Sequence, residues 1–153
     1  MQLLLISITI INFSIGAWLY YVLRKSRFLF SDRFGYTASY FASSILGLVA
    51  SLNFMLLFPN HFGVVGVLNI LLGITIGFLY GSMFNAQSLI AGIYNGGISA
   101  IMGTMLGLVV KNPAICGLPG TIASEQEMII FFALFSLCIQ GISALLLQFS
   151  FKV

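Results

Sequence analysis

Five apolar stretches, residues 3–23, 36–58, 64–84, 89–110 and 128–149, fill most of this 153-residue chain. A helix crossing the hydrocarbon core of a bilayer needs about 20 predominantly apolar residues, and each stretch has that length. Pro59, Pro113 and Pro119 all lie between the stretches, where a missing N–H and a bulky ring interrupt no helical ladder. Only 6% of the residues are charged, against about 25% in soluble domains, which is too few to cover a water-facing surface. The expected fold is therefore an all-α integral membrane protein. Residues 1–153 form a single transmembrane domain, a polytopic bundle of about five helices. The first stretch reads as a retained helix rather than a cleaved signal peptide, because no basic region precedes it and its cations follow it. Ser124-Glu125-Gln126-Glu127 spells a capping box at the start of the fifth helix, with two carboxylates at the positive end of the helix dipole.

Within the apolar stretches, small residues recur every four positions. Helix three carries Gly73, Gly77 and Gly81, with Asn69 and Asn85 continuing the spacing. Helix four carries Gly92, Gly96, Ala100 and Thr104, with Ser99, Gly103 and Gly107 on an adjacent stripe; helix two carries Ser39, Ser43, Gly47 and Ser51. Residues four apart share one face of a helix. In water each interior glycine costs roughly 1 kcal/mol relative to alanine. In a bilayer, close backbone approach decides helix association, because lipid already solvates large apolar side chains. These faces predict glycine-zipper packing of helices three and four within a tight inner trio, with helices one and five around it. The turn between helices three and four, expected at residues 84–88, is so short that the two must be neighbours. Helix three then uses its groove on helix four, which leaves Ser99, Gly103 and Gly107 as a face for a partner or a ligand.

Charge placement sets the expected orientation. Arg24, Lys25, Arg27 and Arg33 fall between helices one and two, and basic loops stay cytoplasmic. The N-terminus is then outside and the C-terminus cytoplasmic, in a membrane whose short loops fit a bacterial inner membrane. Trp18, Tyr20, Tyr21, Tyr36 and Tyr40 flank the 24–34 loop as an interfacial aromatic belt does. Its cations would attract anionic lipid at about 1 kcal/mol each. Directly beneath a membrane, this mixture of basic and aromatic residues orients the chain and does not point to nucleic acid.

Chemistry has few candidates. The carboxylates are Asp32, Glu125 and Glu127, and the one histidine is His61; none lies within a predicted span, and acid–base catalysis needs such groups in mutual reach. The chain is expected not to be an enzyme and to need no cofactor. Cys116 and Cys138 read as free thiols. The neutral polar groups inside the spans, Asn12, Asn53, Asn69, Thr75, Asn95 and Gln140, read first as bonds between helices. Asn95-Gly96-Gly97 is the sharpest ligand or pathway candidate, because an asparagine beside two glycines could unwind helix four and offer its carbonyls. Met102 and Met105, three apart, are a weak soft-metal candidate, set against methionine's ordinary use as a gap filler.

These features predict a non-enzymatic membrane protein working through helix contacts, as a structural, assembly or regulatory subunit of a complex with another membrane protein, or as a homo-oligomer. The alternative is a small transporter or channel whose pathway follows the glycine-rich faces of helices three and four.

Overall fold

Prolines and glycines punctuate the chain into helices, and the backbone explains where each one stops. A computed structural model of the protein describes residues 2–26, 32–117 and 124–150. Within them lie α1 (Gln2–Ser26), α2 (Asp32–Leu57), α3 (Phe62–Gly81), α4 (Ala86–Lys111) and α5 (Glu125–Ser150). All five are long and apolar enough to cross a membrane. The residue before a proline is pushed out of the helical region. Accordingly α2 ends before Phe58 (φ −124°, ψ 59°), which precedes Pro59, and α4 ends before Asn112 (φ −140°, ψ 76°), which precedes Pro113. One 3-10 turn follows each helix, at Pro59–His61 and Pro113–Cys116, and Gly117 closes the second at φ 68°, a backbone region that favours glycine. The capping box forms reciprocally: the Glu127 N–H donates to Ser124 Oγ (3.3 Å) and the Ser124 N–H donates to Glu127 Oε2 (3.1 Å).

The α3–α4 connection lies earlier than the expected residues 84–88. The chain leaves α3 at Ser82, whose N–H donates to Phe78 O, and re-enters a helix at Ala86 after an extended Asn85 (φ −104°, ψ 166°). Gln87 and Ser88 look like turn residues because they are polar, yet both lie in the first turn of α4. There the helix leaves backbone N–H groups open, and polar side chains are at home.

Side-chain size decides which helices meet. A Cβ built on Gly73 or Gly96 would strike the carbonyl oxygen of the other, and one built on Gly77 would strike Gly92 O. At Gly81 the obstacle is the Leu89 backbone, 2.6 Å away. Gly96 O also lies 3.0 Å from a Cβ built on Gly47 of α2, so α2, α3 and α4 converge at this one peptide. The stripe expected to stay free on α4 is occupied: a Cβ on Gly103 would meet Ser51 Oγ and Leu48 O, and one on Gly107 would meet Met55 Cβ at 2.7 Å. Ser99, Gly103 and Gly107 are all buried. The expectation of a spare face for a partner or ligand is thus corrected, because α2 covers it.

The hydroxyls on the small face of α2 are satisfied within their own helix. Ser39 donates to Tyr36 O, Ser43 to Tyr40 O and Ser51 to Gly47 O, so these serines pack almost as apolar groups. The helices α2, α3 and α4 pack on one another in all three pairs, while α1 and α5 pack together and against α2. Two apolar clusters result. One joins Leu19, Leu23, Leu46, Ile76, Tyr80 and Leu147; the other joins Leu5, Ile8, Leu52, Val110, Ile129 and Ala133.

Adjacent glycines should therefore respond differently to a methyl group. Gly77→Ala and Gly96→Ala are expected to lower stability by roughly 1–3 kcal/mol, since backbone blocks the added atom. Gly97 has only Ile74 Cγ1 nearby, at 3.5 Å, and Gly66 and Gly141 have nothing within 4 Å. Alanine at these three positions is expected to leave stability unchanged or to raise it by up to roughly 1 kcal/mol. Thermal unfolding in mild detergent separates the two groups, and equal losses at Gly96 and Gly97 would contradict this packing.

Candidate functional site

Between the two apolar clusters lies a layer of uncharged polar groups, where α1, α2 and α5 meet. Asn12 is 2% exposed, and Asn53, Ser136 and Gln140 are each 1% exposed. Along each helix these residues fall between members of the two clusters: Ile8, Asn12, Leu19 on α1; Ala50, Asn53, Leu56 on α2; Ala133, Ser136, Gln140, Leu147 on α5.

Ser136 organises the layer. Its hydroxyl donates to Ala133 O (2.7 Å), so its lone pairs accept, and both asparagines turn their amide nitrogen toward it, Asn12 Nδ2 at 3.3 Å and Asn53 Nδ2 at 3.2 Å. Asn53 Nδ2 also donates to Val49 O at 2.9 Å, which uses both of its hydrogens and fixes the amide's orientation. The consequence is a set of orphaned acceptors: Asn12 Oδ1, Asn53 Oδ1 and Gln140 Oε1 are buried without a hydrogen-bond partner. Each such atom costs roughly 1–3 kcal/mol. Chemically the layer accepts a donor such as water, or a hard cation; it has no titratable group with which to move a proton.

Another buried amide uses both of its hydrogens across helices. Asn69 Nδ2 on α3 donates to Ser51 O of α2 (3.1 Å) and to Thr104 Oγ1 of α4 (2.9 Å), and Thr104 donates onward to Ala100 O. Tyr80 ties α3 to α1 through its hydroxyl, which donates to Gly16 O (2.8 Å).

The other candidates are dispersed. Helix α4 runs unbroken from Ala86 to Lys111, and Asn95 Nδ2 donates back to Ala91 O at 2.8 Å. The unwinding raised as a candidate at Asn95-Gly96-Gly97 does not occur: the asparagine serves its own helix, and Gly96 belongs to the packing stripe. Met102 and Met105 are 58% and 51% exposed on α4, while Met83 is buried in the cluster around Tyr80. Arg24, Lys25 and Arg33 are exposed, and Arg27 lies outside the described residues, as does the side chain of Cys116. Cys138 is exposed, and His61 is exposed on its 3-10 turn. Glu125 pairs with Lys111 at 2.9 Å, and Glu127 belongs to the capping box. No cluster of three or more His, Cys, Asp or Glu side chains occurs among the described residues.

Reading the sequence missed Ser136, the hub. A serine in a helix carries no distinctive signal, although its place one turn before Gln140, an amide in an otherwise apolar stretch, marks the same face. Comparison of the chain with protein-family models, curated proteins and solved structures finds no match.

Replacing the hub should cost more than replacing a similar serine nearby. Ser136→Ala leaves amide hydrogens of Asn12 and Asn53 without an acceptor and is expected to destabilise by roughly 1–3 kcal/mol. Ser143, whose hydroxyl bonds only to Gln140 O of its own helix, is expected to tolerate alanine within about 0.5 kcal/mol. A double-mutant cycle of Ser136→Ala with Asn12→Leu should show coupling; additive effects would mean that the layer does not act as a unit.

Proposed function

We propose that this is a non-enzymatic polytopic membrane protein that acts through helix contacts, as a structural, assembly or regulatory subunit of a membrane complex or as a homo-oligomer. In this reading the five helices span the bilayer, and the small faces of α3 and α4 form a glycine zipper. The observation that carries it is the contrast between surface and interior. Leu71 and Phe78 on α3, Ile90 and Tyr94 on α4, and Leu145 and Phe149 on α5 are each more than half exposed, a surface suited to lipid or to other apolar helices. Of the described acid and base groups, Glu125 pairs with Lys111 and Glu127 caps α5, while Arg24, Lys25 and Arg33 stand exposed at helix ends without a carboxylate paired to them among the described residues; this dispersal supports a role outside acid–base chemistry.

Charge supports the proposed orientation. Arg24 and Lys25 end α1 and Arg33 begins α2; a Cβ on Gly35 would meet Phe84 Cδ1 at 2.5 Å, which brings the α3–α4 turn to this same basic end. At the opposite end Lys111 is neutralised by Glu125. In this reading the positive-inside rule makes the basic end cytoplasmic and the N-terminus external, and the short loops suit a bacterial inner membrane.

The buried amide layer supports a second reading, a small transporter or channel, because acceptors without donors are what a desolvated polar solute needs. Its route would follow the α1–α2–α5 contact. The glycine-rich faces of α3 and α4 are filled by each other's backbone and leave no room for one.

Two measurements separate these readings. The purified protein in mild detergent is expected to have a mass above that of one chain, through copies of itself or a defined membrane partner. Reconstituted alone in liposomes it is expected to move no solute. A monomer that supports flux, with the flux lost in Asn53→Leu, would replace the first reading with the second.

A further inference from the structure

A cleft of about 240 Å³ opens between the starts of α2 and α4, lined by Arg33, Tyr36, Thr37, Asn85, Gln87 and Ser88. Three features of its wall favour an anion, and they come from different parts of the chain. Arg33 contributes an exposed guanidinium, a planar array of donors matched to phosphate and carboxylate oxygens. The start of α4 contributes backbone: the first intrahelical bond is Leu89 N–H to Asn85 O at 3.0 Å, so the preceding N–H groups of the first turn have no acceptor within the helix. Asn85 forms no side-chain cap over them, and they sit at the positive end of a 26-residue helix. Ser88 contributes a side chain. It is 1% exposed, it lines the cleft, and its hydroxyl forms no hydrogen bond among the described residues.

The arrangement is held by packing. Phe84 lies against Gly35, where a Cβ would meet its ring at 2.5 Å, and this contact docks the α3–α4 turn on the first turn of α2. Arg33 and the N-terminus of α4, both positive, are thereby placed on one cleft. Of the three carboxylates, Glu125 and Glu127 belong to the start of α5, engaged with Lys111 and Ser124, and do not reach it; the side chain of Asp32, the neighbour of Arg33, lies outside the described residues. The cleft has room for a polyatomic group.

We infer that this cleft binds a phosphate group, with the headgroup of an anionic phospholipid as its source. Arg33 and the N–H groups of α4 hold the charged oxygens, the Ser88 hydroxyl donates from below, and Tyr36 walls the side at headgroup depth, where aromatic residues settle. The inference rests on the proposed membrane reading and sharpens it, replacing a diffuse attraction of the 24–34 loop for anionic lipid with one built site.

The test uses the full chain in neutral detergent. Phosphatidylglycerol, phosphatidylcholine or inorganic phosphate is added, and both the unfolding temperature and the lipid retained in native mass spectrometry are read. Phosphatidylglycerol is expected to stabilise the protein more than phosphatidylcholine does. Its affinity is expected to fall about tenfold in Arg33→Gln and roughly threefold in Ser88→Ala, while Arg24→Gln, at the exposed end of α1, changes it little. Gln87→Leu serves as the second cleft variant should Ser88→Ala misfold. Protection by inorganic phosphate that Arg33→Gln abolishes upholds the phosphate site and assigns it to a soluble ligand. Equal losses in Arg24→Gln and Arg33→Gln with none in Ser88→Ala or Gln87→Leu would mean surface charge alone and overturn the site, leaving the membrane reading intact. Failure of the protein to float with liposomes would overturn the membrane reading itself.

Discussion

One peptide, at Gly96, constrains most of the fold. Its carbonyl oxygen occupies the space that a side chain would need at Gly73 of α3 and borders the space that one would need at Gly47 of α2. Three helices can approach this closely only where all three present hydrogen in place of Cβ. From this junction α3 and α4 run antiparallel, Gly77 against Gly92 and Gly81 against Leu89, and so converge on a four-residue turn. The position of that turn in turn sets Phe84 against Gly35 and forms the cleft at Arg33. A single close backbone approach thus propagates about three helical turns, to the end of the bundle.

The polar atoms of the interior follow a different logic. Most hydroxyls are satisfied by the carbonyl three or four residues earlier, so they ask nothing of neighbouring helices. An amide is only partly satisfied in this way, as at Asn95 and Asn53, because it carries two donor hydrogens and an acceptor. Asn69 resolves its nitrogen across three helices, whereas Asn12 and Asn53 resolve theirs on Ser136 and leave their oxygens bare. The difference separates the two seams of the bundle: the glycine-lined α2–α3–α4 contact is closed by backbone against backbone, and the α1–α2–α5 contact retains unmet hydrogen-bonding capacity.

Much of this was legible in the residues and some was not. The helices and the capping box followed from local chemistry, since length, apolar content, proline position and the Ser-x-x-Glu spacing act within a few residues of the chain. Small faces were legible as faces. Their partners were not: helical spacing shows that Ser99, Gly103 and Gly107 share a side, but it carries no information about whether α2 or solvent lies opposite. For the same reason Asn95-Gly96-Gly97 looked like a place to unwind, when Gly96 is small because two helices press on it and Asn95 bonds within its own turn. The expected turn at residues 84–88 takes in Gln87 and Ser88, which lie in the first turn of α4, where polar residues are as much at home as in a loop.

The sequence by itself determined the helical elements, their approximate ends, the uncharged interior and the concentration of cations between α1 and α2, because each of these depends on the residue and its near neighbours. Only the tertiary structure decided that both small faces of α4 are occupied, that Ser136 gathers two asparagines from other helices, and that Arg33 stands beside the open N-terminus of α4. Those outcomes depend on which surfaces meet between different helices, Asn12 to Ser136 being 124 apart. Contacts of that range are set by the fit of backbone against backbone, a property of pairs of helices that neither helix carries alone.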